Sequence, residues 1–255
     1  MKHAFFVTSS IELDPEKNFK GTRKRTVFTT EDRLAQTINT LNNLRQQDPD
    51  AVIYMIDSSV TRFEEIDRLN IPNLHYVQLE YLNPRVATIV RSHSSKSHCE
   101  CIMILEFFKH FKKELEKYDF ITKICGRYWF QEGFDKSIFT PDNIDKFFMK
   151  KEMIWADQHI DFLTEEQLPK DLLVNGELHG LYTVAHAIGR EKLSQYEAIM
   201  AASAAVSEEY GKYYHSEVEY TLYLYLRLFD QLKDVITVDW TIDGRCGVTG
   251  DHVRY

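Results

Sequence analysis

The stretch YDFITKICGRYWF, Tyr118 to Phe130, decides how the chain is read. Phe120 to Cys125 is rich in the aromatic and β-branched side chains that favour a buried β-strand, and it runs straight into Gly126-Arg127-Tyr128. The glycine permits a tight exit that turns the next side chains into a cleft. Open α/β sheets gather their ligands beyond the carboxyl ends of the central strands, and this loop brings a cation there. Lys123 adds a second signal. A lysine in the middle of an apolar strand needs a partner or a cleft, so it is a candidate binding residue.

Outward from this strand the chain alternates strands and helices. Before it, an amphipathic helix from Ser97 to about Lys117 carries Ile102, Leu105, Phe108 and Leu115. At the start, Ala4 to Ser9 reads as a strand and the polar segment from Ser9 to Thr26 as a long loop. Thr29 or Thr30 then caps a helix whose face is Leu34, Ile38, Leu41 and Arg45. Asp48-Pro49-Asp50 turns the chain into a second strand, Ala51 to Ile56, which ends at Asp57-Ser58-Ser59. Glu64 to Leu69 is expected as a short helix, Leu74 to Leu79 as a third strand, and residues 83 to 98 as a polar connection. Downstream, Phe147 to Trp155 and Leu178 to Ala187 are strand-like, Glu191 to Ser207 and Tyr220 to Phe229 helical, and Val235 to Trp240 a last strand. The pattern predicts an α/β fold with a mostly parallel central sheet flanked by helices. With 255 residues and no linker-like stretch, one domain is expected.

Composition narrows the function. A net charge of −8 argues against a general nucleic-acid surface while leaving room for a local basic pocket. The four cysteines show no C-x-x-C spacing, so a reducing, cytoplasmic setting is expected, and His98, Cys99 and Cys101 lack the paired spacing of a zinc site. The opening MKHAFFVTSS is too short an apolar run for a leader or a membrane span. There is no G-x-G-x-x-G, P-loop, G-x-S-x-G or H-E-x-x-H. The cations instead collect in loops at strand ends: Arg23, Lys24 and Arg25 after the first strand, Lys123 and Arg127 at the fourth. Converging guanidinium and ammonium groups suit a phosphate or diphosphate.

Two motifs carry a resemblance. The first is R-x-V-F-T-x-E-x-R-x-x-Q-T, with Arg25, Val27, Phe28, Thr29, Glu31, Arg33, Gln36 and Thr37; the second is K-x-x-G-R-Y, with Lys123, Gly126, Arg127 and Tyr128. Together they resemble a group of bacterial and viral glycosyltransferase-like proteins, distantly similar to lipopolysaccharide-synthesis transferases of the GT-A type. The resemblance implies a Rossmann-like GT-A sheet, with residues 1–130 as the nucleotide-binding half and 131–255 as the acceptor-binding half, and transfer of a sugar from a nucleotide-sugar donor to a glycan or lipid-linked acceptor, in the cytoplasm or peripheral to a membrane. It implies that Thr8, Ser9, Ser10 and Asp57 lie near the base and ribose, and that the Gly126-Arg127-Tyr128 loop stands where such enzymes carry an Asp-x-Asp metal motif.

The only literal D-x-D, Asp48-Pro49-Asp50, precedes a strand and so lies at the wrong edge of the sheet. A divalent cation then has no obvious seat, and Lys123 and Arg127 are expected to neutralise the diphosphate directly. Glu217 and Glu219, ahead of the 220–229 helix, are the candidate catalytic carboxylates, with Glu217 preferred as the base. The glycine-bearing tail offers Arg245, His252 and Arg254 as further phosphate donors, and elsewhere Tyr128, Trp129, Trp155 and Tyr182 are candidates to stack on base or sugar. A sugar nucleotidyltransferase and a non-catalytic glycan- or nucleotide-binding module are the competing readings.

Overall fold

The computed structural model describes residues 1–13, 26–131, 134–150, 153–155, 173–174, 177–210, 218–246 and 250–255. The chain opens with β1 (His3–Ser9), α1 (Thr30–Gln47) and β2 (Val52–Asp57). Next come α2 (Glu64–Asp67), β3 (Leu74–Gln78), α3 (Leu79–Leu82), α4 (Pro84–Ser92) and α5 (Lys96–Leu115). Then follow β4 (Phe120–Cys125), β5 (Tyr128–Phe130), β6 (Phe147–Lys150), β7 (Met153–Trp155), β8 (Leu173–Val174), β9 (Glu177–Gly180) and β10 (Ala185–Gly189). The last elements are α6 (Leu193–Tyr210), α7 (Val218–Leu228), β11 (Val235–Val238), β12 (Ile242–Arg245) and β13 (His252–Arg254).

Among the described residues, seven strands form the central sheet in the order β11-β6-β10-β4-β1-β2-β3. The neighbours β4, β1, β2 and β3 run parallel, as do β6 and β11, and β10 runs antiparallel between β4 and β6. This is the mixed, mostly parallel α/β sheet that the alternation of elements predicts.

Both faces of the sheet are covered, as parallel strands require. In β1, Phe5 and Val7 pack into one apolar layer and Ala4 and Phe6 into the other; β2 repeats the alternation with Ile53 and Met55 against Tyr54 and Ile56. The first layer includes Leu41 and Leu44 of α1, the second the inner faces of α5, α6 and α7. At ~25 cal/mol per Å² of apolar surface removed from water, each fully buried Phe or Ile contributes roughly 2 kcal/mol.

Two local readings are corrected. Residues 83 to 98 are not simply a polar connection. Asn83 caps α4 by accepting from the Val86 amide at 3.2 Å, and Pro84 fills the first helical position. The arginines of the segment hid this start signal. On α1, where Thr29 and Asp32 form a reciprocal capping box, the inward face is Arg33, Thr37, Thr40, Leu41 and Leu44, while Leu34 and Ile38 are only half-buried.

The polar face is inward because it satisfies a strand. Thr40 Oγ1 donates to the Tyr128 carbonyl at 2.9 Å. Asn43 donates to the Phe130 carbonyl at 2.7 Å and accepts from the Phe130 amide at 2.9 Å, and Gln47 donates to the Gln131 carbonyl at 3.2 Å. Side chains spaced three and four apart on one helix thus take the hydrogen bonds that a neighbouring strand would make.

The other edge of β5 pairs antiparallel with β12, and β12 pairs with β13, so the tail forms a small sheet. Gly244 makes this possible: a Cβ there would lie 2.1 Å from Tyr128 Cδ1 and 2.8 Å from the Arg127 carbonyl oxygen. Gly244→Ala is expected to destabilise the protein by about 1–3 kcal/mol, as overpacking does, and to speed proteolysis within residues 242–255. A melting curve and a digestion time course check both.

Candidate functional site

The carboxyl ends of β1 and β4 open into a small concave cleft. Thr8, Ser9 and Ser10 come from β1 and its exit, Arg33 and Thr37 from α1, Lys96, Cys99, Glu100 and Met103 from α5, and Cys125, Gly126 and Arg127 from the end of β4. A β1-to-β4 crevice is where the sheet order requires a ligand site. The walls are fixed by short bonds. Ser9 and Thr37 hydroxyls lie 3.2 Å apart, Ser58 Oγ donates to Ser10 Oγ at 2.8 Å, and Arg33 Nε donates to the Ser10 carbonyl at 2.7 Å. Gly126 seals the floor: its amide donates to the Thr8 carbonyl at 2.8 Å, and a Cβ on it would come within 3.1 Å of Ser9 Cβ and Oγ.

Of the residues singled out in the sequence, Thr8, Ser9, Ser10, Gly126 and Arg127 line this cleft. Arg127 is half-buried and donates to the Arg245 carbonyl at 3.4 Å, which ties the tail to the pocket rim. Arg25, with Arg23 and Lys24, and Glu217 lie outside the described residues.

Lys123 is placed differently from the expectation of a cation offered to the ligand. Its side chain is 1% exposed and points from β4 towards α5 and α6. There Nζ donates to Glu100 Oε1, to the Thr183 carbonyl at 3.0 Å and to Cys125 Sγ at 3.1 Å, which uses its three protons. Burial alone would push the ammonium towards neutrality, but Cys125 and Glu100 reverse this and hold its pKa above the ordinary lysine value. Beside it, His186 is pushed down to about 3 by burial and by the Lys123 charge, so it is neutral. Nδ1 faces the Thr183 carbonyl at 3.3 Å and Nε2 the Tyr196 hydroxyl at 2.9 Å, which assigns the proton to Nδ1.

Asp57 is likewise withdrawn from the cleft. It is fully buried, accepts from the Ile11 amide at 3.0 Å and from the Tyr76 hydroxyl at 3.4 Å, and so braces the exits of β1 and β2. Tyr128 is buried between α1 and the tail. Arg254 is turned onto Asp243, with Nε to Oδ1 at 2.8 Å, and His252 lies 3.4 Å from the same carboxylate. Arg245 is exposed and donates to the Gly250 carbonyl at 3.4 Å. Glu219, at the start of α7, accepts from Thr183 Oγ1 at 2.7 Å and is not among the cleft-lining residues. Asp48 of the D-x-D triplet sits at the opposite edge of the sheet, paired with His3 at 2.9 Å and Lys136 at 2.8 Å, in keeping with the turn expected there.

Sequence reasoning did not assign Lys96 or Glu100 to the site. Arg33 and Thr37, although part of the first motif, received no role. Their signal is the i, i+4 pair of polar residues on the buried face of α1, mirrored by Lys96 and Glu100 at the same spacing on α5.

No family model and no curated protein sequence matches the chain. Solved structures do match. Core-mannan synthase A from Aspergillus fumigatus, in its Mn/GDP form, superposes with a TM-score of 0.59 at 12% identity, over 95% of this chain and 74% of that one. The bifunctional glycosyltransferase WbbM gives 0.53 at 12% identity, over 93% of this chain and 38% of that one. Mouse xyloside xylosyltransferase 1 gives 0.51 at 9% identity, over 93% and 85%. The fold is therefore GT-A-like, as the two motifs imply.

The described residues that line this cleft do not fit a divalent cation. Such ions take several oxygen ligands, usually including carboxylates. Glu100 is the one carboxylate among the described lining residues, and its Oε1 is already taken by Lys123. Among the described residues, no group of three or more His, Cys, Asp or Glu is placed to hold a metal.

If Lys123 is the internal counter-charge of Glu100, Lys123→Ala leaves a carboxylate without its partner. Roughly 3 kcal/mol of stability and roughly 6–12 °C of melting temperature should be lost. A lysine serving only an external ligand would leave the melting curve of the ligand-free protein within about a degree of wild type.

Proposed function

We propose that the chain is a glycosyltransferase that moves a sugar from a nucleotide-sugar donor to a glycan or lipid-linked acceptor, with protein cations in place of a divalent metal. The observation that carries this reading is the charge composition of the cleft on a GT-A-like sheet. Arg33, Lys96 and Arg127 line it against one carboxylate that is internally paired. In a protein of net charge −8, three cations on one small concave surface suit a dianionic or trianionic ligand. A departing nucleoside diphosphate develops negative charge in the transition state, and fixed guanidinium groups lower that barrier without reorganising. Arg33 lines the cleft with Nε donating to the Ser10 carbonyl at 2.7 Å and one terminal nitrogen facing Thr26 Oγ1 at 3.4 Å, so its guanidinium is already oriented when the diphosphate arrives.

The neighbours supply the chemical class by analogy. They are a mannan synthase with GDP, a xylosyltransferase and a bifunctional glycosyltransferase. The donor half of the reaction is assigned to Thr8, Ser9, Ser10, Arg33, Gly126 and Arg127. Arg245 stands behind Arg127 through its carbonyl.

Thermal melting with UDP, GDP, CMP, dTDP and their common sugar conjugates, with and without manganese, tests the reading. One nucleotide class should raise the melting temperature equally with and without the metal, because a ligand that binds only the folded state stabilises it. Arg127→Ala and Arg33→Ala should each weaken that shift by the equivalent of about 1.5–3 kcal/mol of a charged hydrogen bond. Strict manganese dependence would remove the metal-free part of the proposal. Binding without transfer or hydrolysis would favour a non-catalytic binding module.

For the acceptor step, Glu217 is the proposed general base, because Glu219 accepts from Thr183. Glu217→Gln should lower turnover by about 10²–10⁴-fold with an unchanged melting curve, whereas Glu219→Gln should keep turnover and lose stability. Loss of turnover in Glu219→Gln alone would reverse that assignment.

A further inference from the structure

Glu100 is the residue of the cleft whose role neither the motifs nor the fold accounts for. It stands at the second turn of α5, over the ends of β1 and β4, with its side chain 20% exposed. Three donors reach it, and all reach the same oxygen. Lys123 Nζ, Thr8 Oγ1 at 3.2 Å and Cys125 Sγ at 3.3 Å converge on Oε1. The carboxylate is thereby clamped from below while it lines the cleft. Burial would favour its protonated form, but Lys123 outweighs that and holds its pKa below the ordinary range. Cys125, pushed up to about 11 by burial and by Glu100, remains a thiol and donates rather than competes. An ionised carboxylate so held is an acceptor only, and it repels a phosphate that the cations Arg33, Lys96 and Arg127 of the same cleft attract. It suits a neutral donor.

We propose that Glu100 receives a hydroxyl of the bound donor through Oε2, and that Lys123 acts as a positioning residue that keeps this acceptor ionised and aimed. The inference rests on the nucleotide-sugar reading of the same cleft. The hydroxyl belongs either to the ribose or to the transferred sugar, which present the same chemistry. A site built to accept from a hydroxyl rejects ligands lacking it, because the buried acceptor is left unpaired. Glu100 would therefore set selectivity next to the cations that set affinity for the diphosphate.

Calorimetric titration of wild type, Glu100→Gln and Glu100→Gln/Lys123→Met decides the matter. The probes are UDP with UDP-glucose and UDP-galactose, and GDP with GDP-mannose. For the probe that wild type binds, Glu100→Gln should lose roughly 10- to 100-fold in affinity, the effect of one charged hydrogen bond. An equal loss for a nucleotide and its sugar conjugate assigns the hydroxyl to the ribose, and a loss confined to the conjugate assigns it to the sugar. The double variant removes the uncompensated lysine, so its melting temperature should return towards wild type while its affinity stays low. Affinity within twofold of wild type in Glu100→Gln, or affinity that recovers with stability in the double variant, overturns the proposal. If wild type binds none of these probes, nor CMP, dTDP or their sugar conjugates, the nucleotide-sugar reading falls and this inference falls with it. Binding by wild type with no change in the variant sinks only the inference.

Discussion

A lysine ammonium buried in the central strand is the constraint around which this molecule is arranged. Removing a charge of that size from water costs several kcal/mol even after relaxation, so β4 can hold Lys123 only if the surrounding elements supply acceptors. They do so from three directions. Glu100 comes from α5, the Thr183 carbonyl from the turn ahead of β10, and Cys125 from β4 itself. The pair fixes how α5 sits over the sheet and where β10 enters, since His186 lies opposite Lys123 in the register and must stay neutral beside it. Replacement of the pair by apolar residues need not destabilise such a core, so stability alone does not explain why a charged pair is used here. Its position under the cleft does: it presents an ionised oxygen upward from a rigid base.

The second organising device is the polar face of α1. Thr40, Asn43 and Gln47 hold one edge of β5 as a strand would, and β12 holds the other. The loop from Cys125 to Tyr128 is thus anchored on both sides, and the same helix that anchors it delivers Arg33 and Thr37 to the cleft one and two turns earlier. The C-terminal sheet closes the arrangement through the Arg127 contact with the Arg245 carbonyl. Fold and site share residues here, so a change in α1 acts on both.

Much of the fold was legible in the sequence because strands buried on both faces leave continuous apolar runs, and because Thr29 and the Asp48-Pro49-Asp50 turn punctuate them. What misled was polarity used internally. On α1, Thr37, Thr40 and Asn43 resemble a solvated face until the edge strand they serve is known, and at α4 the Asn83-Pro84 start signal was lost among arginines. For the site, a strand-end loop with a cation was enough to find the cleft through Arg127 and Gly126. Lys123 in an apolar strand calls for a partner or a cleft, but the partner, Glu100, lies 23 residues away on a helix whose pattern shows no visible break there. Asp57 looked like a ligand because it ends a strand, yet the backbone amides around it claim its oxygens first. Long-range pairing of charges is set by topology, and local spacing does not report it.

On the proposed function, side-chain cations take the place of a divalent metal at the donor diphosphate. The most direct measurement is a crystal structure of the protein with the nucleotide sugar it binds, grown with manganese present. Phosphate oxygens should lie within hydrogen-bonding distance of Arg33 and Arg127, with no metal between them and the protein. A manganese ion bridging the phosphates to protein carboxylates, or a diphosphate seated away from the β1 and β4 ends, would contradict it.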